Sequence, residues 1–98
     1  MSAYNFTWDE RKNLINQSKH GVSFDEAKTV FFDDYARLIA DPDHSEDEER
    51  FILLGMSNHF KTLVVCHCYR ADDHEIRLIS ARRANKHEQK QYDRFRYA

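Results

Sequence analysis

Residues 76–96 read IRLISARRANKHEQKQYDRFR. The arginine pair Arg82-Arg83 ends a strand-like run, and the chain passes almost at once into a helix-like segment with Lys86, His87 and Glu88 in its first turn. Guanidinium groups bind oxyanions through a planar fork of donors. A helix start adds free backbone N–H groups that also favour an anion. Cations in a first helical turn oppose the helix dipole and cost stability unless an anion or carboxylate compensates. The pattern fits an anion site at a strand–helix junction. The plainer reading is a solvated cationic surface, with Glu88 serving only as the capping-box glutamate.

Other residues invite chemical readings, most of which fail. His20, in Lys19-His20-Gly21, is either a cation settling a helix C-terminus or a proton-transfer group near phosphate. Trp8 could stack on a base, whereas Phe24 and Phe31, at helical spacing beside Val30, read as core. His44, His59 and His74 read as solvated loop residues. In Cys66-His67-Cys68 the histidine points opposite to the two thiols on a strand, so the three cannot converge on one ion. No second cysteine pair completes a tetrahedral site. Thiols two residues apart on a strand sit about 7 Å from each other, too far for an unstrained disulfide. No metal and no disulfide are expected. Asp41, Asp43, Ser45 and Asp47 alternate like calcium-loop ligands, but the required glycine and glutamate positions hold Glu46 and Ile52.

These residues need elements to hold them. Phe6-Thr7-Trp8 is a short β-like start, and Asp9 caps a helical segment through Leu14 and Ile15 to about Lys19, with Gly21 as its C′ residue. Ser23 and Glu26 form a capping box for a second helix ending near Asp33. Ala36 to Ala40 is a strand candidate, and residues 41–49, DPDHSEDEE, read as an acidic loop. Three strands follow at Glu49 to Met56, Thr62 to Arg70 and Glu75 to Arg83, with hairpin-length connections. If residues 71–74 form the last turn, Arg70 lies opposite Glu75. Arg77 and Arg83 then share one face and Arg82 takes the other. A C-terminal helix starts at Asn85-Lys86-His87-Glu88, its expected inward stripe being Ala84, Glu88, Tyr92 and Phe95. The expected fold class is α+β: two N-terminal helices, an antiparallel β-meander of about four strands, and a C-terminal helix, with the helices on one face.

The 98 residues suit one domain, 1–98, with a single modest core. The apolar runs are too short to span a bilayer and MSAYNFTWDE lacks the features of a secretory signal, so a cytoplasmic protein is expected. The net charge of −2 conceals an asymmetry: residues 1–49 hold five Lys/Arg against twelve Asp/Glu, and residues 50–98 hold ten against five. The basic half suits a polyanion and the acidic half a basic partner.

The whole pattern resembles a known family. Phe6-Thr7-Trp8-Asp9-Glu10 with Lys12 and Asn16, then Lys19-His20-Gly21-Val22-Ser23-Phe24, Ala27, Val30-Phe31 and Asp33, is similar to the N-terminal signature of the BrnT toxins. His44-Ser45, Glu49-Arg50-Phe51, Gly55 and Ser57 resemble its middle. Ile76 to Ala84, with Glu88 and Tyr92, resembles its closing motif. The resemblance implies a RelE-like ribonuclease toxin of a bacterial type II toxin–antitoxin pair, cleaving RNA without a metal or other cofactor and halting translation. It implies catalytic positions at Lys19, His20, Arg70, Arg82, Arg83, Glu88 and Tyr92; RNA contacts are expected at Trp8, Lys12, Arg77 and Lys86. The implied partner is a BrnA-like, DNA-binding antitoxin, joined with the toxin in a hetero-oligomer that represses its own operon; operator DNA is met only through the antitoxin. The competing expectation is a non-catalytic module that pairs with a DNA-binding protein to tune repression.

Overall fold

Each α-helix starts at a side-chain cap. In the computed structural model, which describes residues 5–40, 49–70, 72 and 74–98, Asp9 accepts the Arg11 and Lys12 amides at the head of α1 (Glu10–His20). Ser23 accepts the Glu26 amide at the head of α2 (Phe24–Ala27). Asn85 and Glu88 form a reciprocal capping box at the head of α3 (Lys86–Arg96). Gly21, with a φ of 70°, closes α1 in the left-handed conformation that glycine adopts without penalty.

The second helix is shorter than the sequence predicts. After Ala27 the chain tightens into a 3₁₀ turn over Lys28–Phe32. The Thr29 hydroxyl donates to the Glu26 carbonyl at 2.6 Å, offering the backbone an alternative to the helical ladder.

Five strands form one sheet in the order β1-β5-β4-β3-β2: β1 (Asn5–Thr7), β2 (Arg37–Ala40), β3 (Phe51–Met56), β4 (Thr62–Arg70) and β5 (Glu75–Arg83). Strands β2 to β5 make the expected antiparallel meander, and Arg70 lies opposite Glu75. The fifth strand, β1, goes beyond the β-like start that the sequence suggests. It pairs parallel to β5 over Glu75–Arg77, so the sheet is mixed. Of the acidic loop expected at residues 41–49, residues 41–48 lie outside the described residues.

Helices cover both faces of the sheet, which corrects the one-face expectation. Leu53, Leu63, Val65, Ile76, Leu78 and Ala81 pack with Val22, Phe24, Ala27 and Val30 on one side. Leu54 and Val64 pack with Tyr92 of α3 on the other. Consecutive strand residues alternate between faces, so the unbroken apolar runs of β3 and β4 mark strands buried on both sides. Gly55 lets β3 approach the 3₁₀ turn closely. A Cβ there would lie 2.7 Å from Val30 Cγ1 and 2.9 Å from Ala36 Cβ. The architecture remains α+β.

Candidate functional site

Strand β5 carries both arginines, and a bulge decides which way each points. Cys66 pairs with Ser80 while His67 pairs with Leu78, leaving Ile79 as an extra residue. Alternation slips by one at that point. Arg77 and Arg82 therefore share the α3 face, and Arg83 shares the opposite face with Ala81. The expected grouping of Arg77 with Arg83 is corrected by this single inserted residue.

Helix α1 reaches the same end of β5. It begins where β1 leaves Arg77, and Asn16 then meets Ala81. The chain leaves β5 at the Thr7–Arg77 pair and returns to it at Asn16–Ala81, four strand residues or about 13 Å further on, so α1 runs alongside β5 in the same sense. Its last turn, with exposed Lys19 and His20, continues past Asn16 in the direction in which β5 runs from Ala81 to Arg83. Asn16 holds this alignment. Its Nδ2 donates to Ala81 O and to Val22 O, both at 2.8 Å, and its Oδ1 accepts the Ala81 amide at 3.1 Å. Because β1 stops at Thr7, β5 has no strand neighbour on that side at Ala81 among the described residues. The asparagine amide takes the place of a peptide group there.

On the α3 face Arg82 meets Glu88. The two make a bidentate pair, Nη1 to Oε1 and Nη2 to Oε2, each at 2.8 Å, the strong fork geometry of guanidinium on carboxylate. Arg82 Nη1 also donates to Arg83 O at 3.2 Å. Glu88 Oε1 accepts the Asn85 amide at 2.9 Å, so one carboxylate closes the capping box and aligns the guanidinium. The Glu88 side chain is 14% exposed and that of Arg82 41%, which leaves part of the fork open to solvent. The Arg82 hydrogen bonds hold the Glu88 carboxyl below its usual range against the opposing effect of burial. The same hydrogen bonds push the Arg82 guanidinium up. Lys86 and His87 are exposed in the first turn of α3.

The remaining candidates lie elsewhere. Arg70 sits at the far end of β4, whereas Val64 of the same strand faces Arg82. Six residues of extended chain separate Val64 from Arg70, a span of about 20 Å. Arg77 lies at mid-sheet, opposite Cys68 and beside Thr7. Lys12 is exposed in the first turns of α1. Trp8 packs edge-on to Phe24 with ring centroids 6.0 Å apart, and its Nε1 donates to Glu10 at 3.1 Å. Tyr92 is fully buried, and its hydroxyl donates to Asp33 Oδ2 at 2.6 Å and accepts from Arg96 at 2.9 Å. Burial and the neighbouring Asp33 carboxylate push the phenol up to about 12.

Three anchors escaped the sequence reading. Asn16 is one. Asp33 is another: it accepts Tyr92 OH, the Met56 amide at 2.8 Å and the Tyr35 amide at 3.0 Å, joining the 3₁₀ turn, β3 and α3. Burial works against its charge, yet these hydrogen bonds hold its carboxyl below the usual range. Buried Glu26, whose sequence context suggests only a capping residue, accepts Ser57 Oγ at 2.7 Å and straps the β3–β4 turn to α2. For Asn16 and Asp33 the signal available was their place in the family-like signature, and for Glu26 its place in a capping box.

The match to a known family spans most of these residues, ending at Glu88. The sequence profile of a family described as "Ribonuclease toxin, BrnT, of type II toxin-antitoxin system" matches residues 8–88. The chain belongs to the BrnT family. The fold is similar to that in a 1.1 Å crystal structure of the Brucella abortus ribonuclease toxin BrnT. The TM-score is 0.65 at 22% sequence identity, with 85% of this chain and 99% of that chain covered. No curated protein sequence matches the chain. A toxin of a type II system implies an antitoxin partner. Among the described residues there is no cluster of three or more His, Cys, Asp or Glu positioned to hold a metal, and no helix is long and apolar enough to cross a membrane.

Proposed function

We propose that the chain is a cytoplasmic endoribonuclease toxin that cleaves RNA without a metal and so blocks translation. A BrnA-like, DNA-binding antitoxin neutralises it, and the complex represses its own operon. The observation that carries this reading is the Arg82 fork, aligned by Glu88 at the strand end in a chain of the ribonuclease-toxin family.

The chemistry needs no group from outside the RNA and the protein. The substrate's 2′-OH attacks the adjacent phosphorus, forming a cyclic phosphate as the bond to the 5′-oxygen breaks. The protein takes the hydroxyl proton, stabilises charge on the phosphoryl oxygens and returns a proton to the leaving oxygen. Arg82 and Arg83 suit the charge role, since guanidinium binds phosphate bidentately and does not give up its proton at neutral pH. Lys19 and His20 are the proton-transfer groups on the α1 side. Glu88, ionised and paired, positions Arg82. Tyr92, sealed in the core by Asp33, serves the fold. Trp8, Lys12 and Lys86 are the RNA contacts this arrangement leaves accessible, whereas Arg70 and Arg77 lie too far along the sheet to share the scissile phosphate.

Induction of the chain alone in bacteria tests the proposal. Growth arrest with RNA decay, relieved by co-expressed antitoxin, is the expected result. Healthy growth with intact RNA favours the non-catalytic module instead.

A further inference from the structure

The β3–β4 turn presents a phenylalanine where glycine is the usual choice. Ser57 N donates to Lys61 O at 2.8 Å and Phe60 N to Ser57 O at 3.0 Å, a tight hairpin loop in which Phe60 adopts a φ of 61°. Such loops place a left-handed residue before the returning strand, and glycine fills that position without steric cost. A bulky side chain there is an outlier. Burial does not compensate for it, because Phe60 is 84% exposed. Nor is the turn a loose tip. Ser57 Oγ donates to Glu26, and Thr29 Oγ1 accepts the Asn58 amide at 2.9 Å, so the ring stands on a braced platform.

Phe60 borders a groove of about 290 Å³ whose other walls include Phe32, Met56, Asn58 and Arg96. Phe32 is 63% exposed. The Arg96 guanidinium lies 5.1 Å from the Tyr35 ring and 5.5 Å from that of Tyr97. It is a planar cation among aromatic faces. The groove adjoins the strand-end site: Thr62, two residues after Phe60, accepts the Ala84 amide at 2.9 Å, directly beyond Arg83.

The geometry points to a stacking subsite for an unpaired base of single-stranded RNA, next to the phosphate held at the strand end. This rests on the ribonuclease reading. Exposed rings with an adjacent guanidinium are the recurring platform for single strands, because every base has a face to stack. Asn58 adds an amide at the groove wall that can meet a base edge. Continuity with the cationic strand end favours RNA over a protein segment as the occupant.

Affinity for a short, fluorescently labelled, 2′-O-methyl single-stranded RNA tests this, measured beside cleavage of the unmodified strand. Phe60→Gly and Phe32→Ala are expected to weaken binding by about 5- to 150-fold, the range for losing one stacked base. Phe60→Trp is expected to retain it. Phe60→Gly relieves the left-handed backbone, so its melting temperature is expected at or above that of the parent protein, which separates the subsite from the fold. If Phe60→Gly binds and cuts RNA as the parent does, the subsite is overturned and the ribonuclease reading stands. A parent protein that neither binds nor cuts RNA sinks both. Lost affinity for purified antitoxin, with unchanged affinity for RNA, assigns the groove to the protein partner and also overturns the proposal.

Discussion

Replacing Asn16 by alanine removes three buried hydrogen bonds at once. The amides and carbonyls involved belong to Ala81 and Val22, 1% and 0% exposed respectively. Each buried group left unpaired costs about 1–3 kcal/mol, and a water entering the vacated space recovers part of it. The expected loss is therefore about 3–5 kcal/mol, among the largest for a single substitution and a large fraction of a small domain's stability. At about 4–8 °C per kcal/mol for a domain of this size, the melting temperature falls by roughly 12–40 °C. Asn16→Asp keeps the shape but sets a carboxylate against two carbonyls, so it is expected to be at least as damaging. Urea unfolding followed by circular dichroism measures all three proteins. A loss below about 1 kcal/mol for Asn16→Ala, the net worth of one ordinary hydrogen bond, refutes the account of how α1 is fastened to β5.

Other substitutions probe the remaining anchors. Tyr92→Phe loses a hydrogen bond to an ionised carboxylate and is expected to cost about 1.5–3 kcal/mol while toxicity per folded molecule is kept; loss of toxicity without loss of stability would make Tyr92 a proton-transfer group. Arg82→Lys keeps the charge but loses the fork, and is expected to slow cleavage by about 10²–10³-fold with the fold intact, as read by single-turnover kinetics. His67, fully buried with its Nδ1 on Val65 O and its Nε2 on Tyr69 OH, is held below its ordinary value of 6.5 mainly by burial. The unfolded chain therefore takes the proton first, so stability is full above about pH 6.5 and declines as pH falls below it, by at most ~1.4 kcal/mol per pH unit. Denaturant midpoints from neutral pH down through mildly acid pH should show that slope, and His67→Phe should flatten it.

The capping residues and the Arg70–Glu75 pairing were legible because they depend on local geometry. Asp9, Ser23, Asn85 and Gly21 each act within a few residues of their partners. The bulge at Ile79 was not legible, since nothing in IRLISARR distinguishes an extra residue from a regular one. That one residue reversed the relation between Arg77 and the arginine pair. The uninterrupted apolar runs of β3 and β4 carried the signal for a sheet covered on both sides, yet hairpin connections drew the reading toward a one-sided meander. In α1 burial runs against hydrophobicity: Leu14 and Ile15 are exposed while Asn13 and Asn16 are buried, because Asn13 accepts the Phe24 amide and Asn16 satisfies the open peptide groups of the sheet edge. At the candidate site the arginines, Glu88 and the α1 cations were legible as types. The alternation of Arg82 and Arg83 between the two faces was legible as well, but their relation to Arg77 was not, because the bulge sets it.

The central claim is that cations at the end of β5 promote attack by the RNA's own 2′-OH. Purified protein should be given a single-stranded RNA in excess chelator, beside the same strand bearing a 2′-deoxy nucleotide at the mapped cut. Cleavage of the first to a 2′,3′-cyclic phosphate and a 5′-hydroxyl, none at the modified position of the second, and a roughly 10²–10³-fold slower reaction for Arg83→Ala is the predicted result. Cleavage at the 2′-deoxy position, or activity abolished by the chelator, contradicts it.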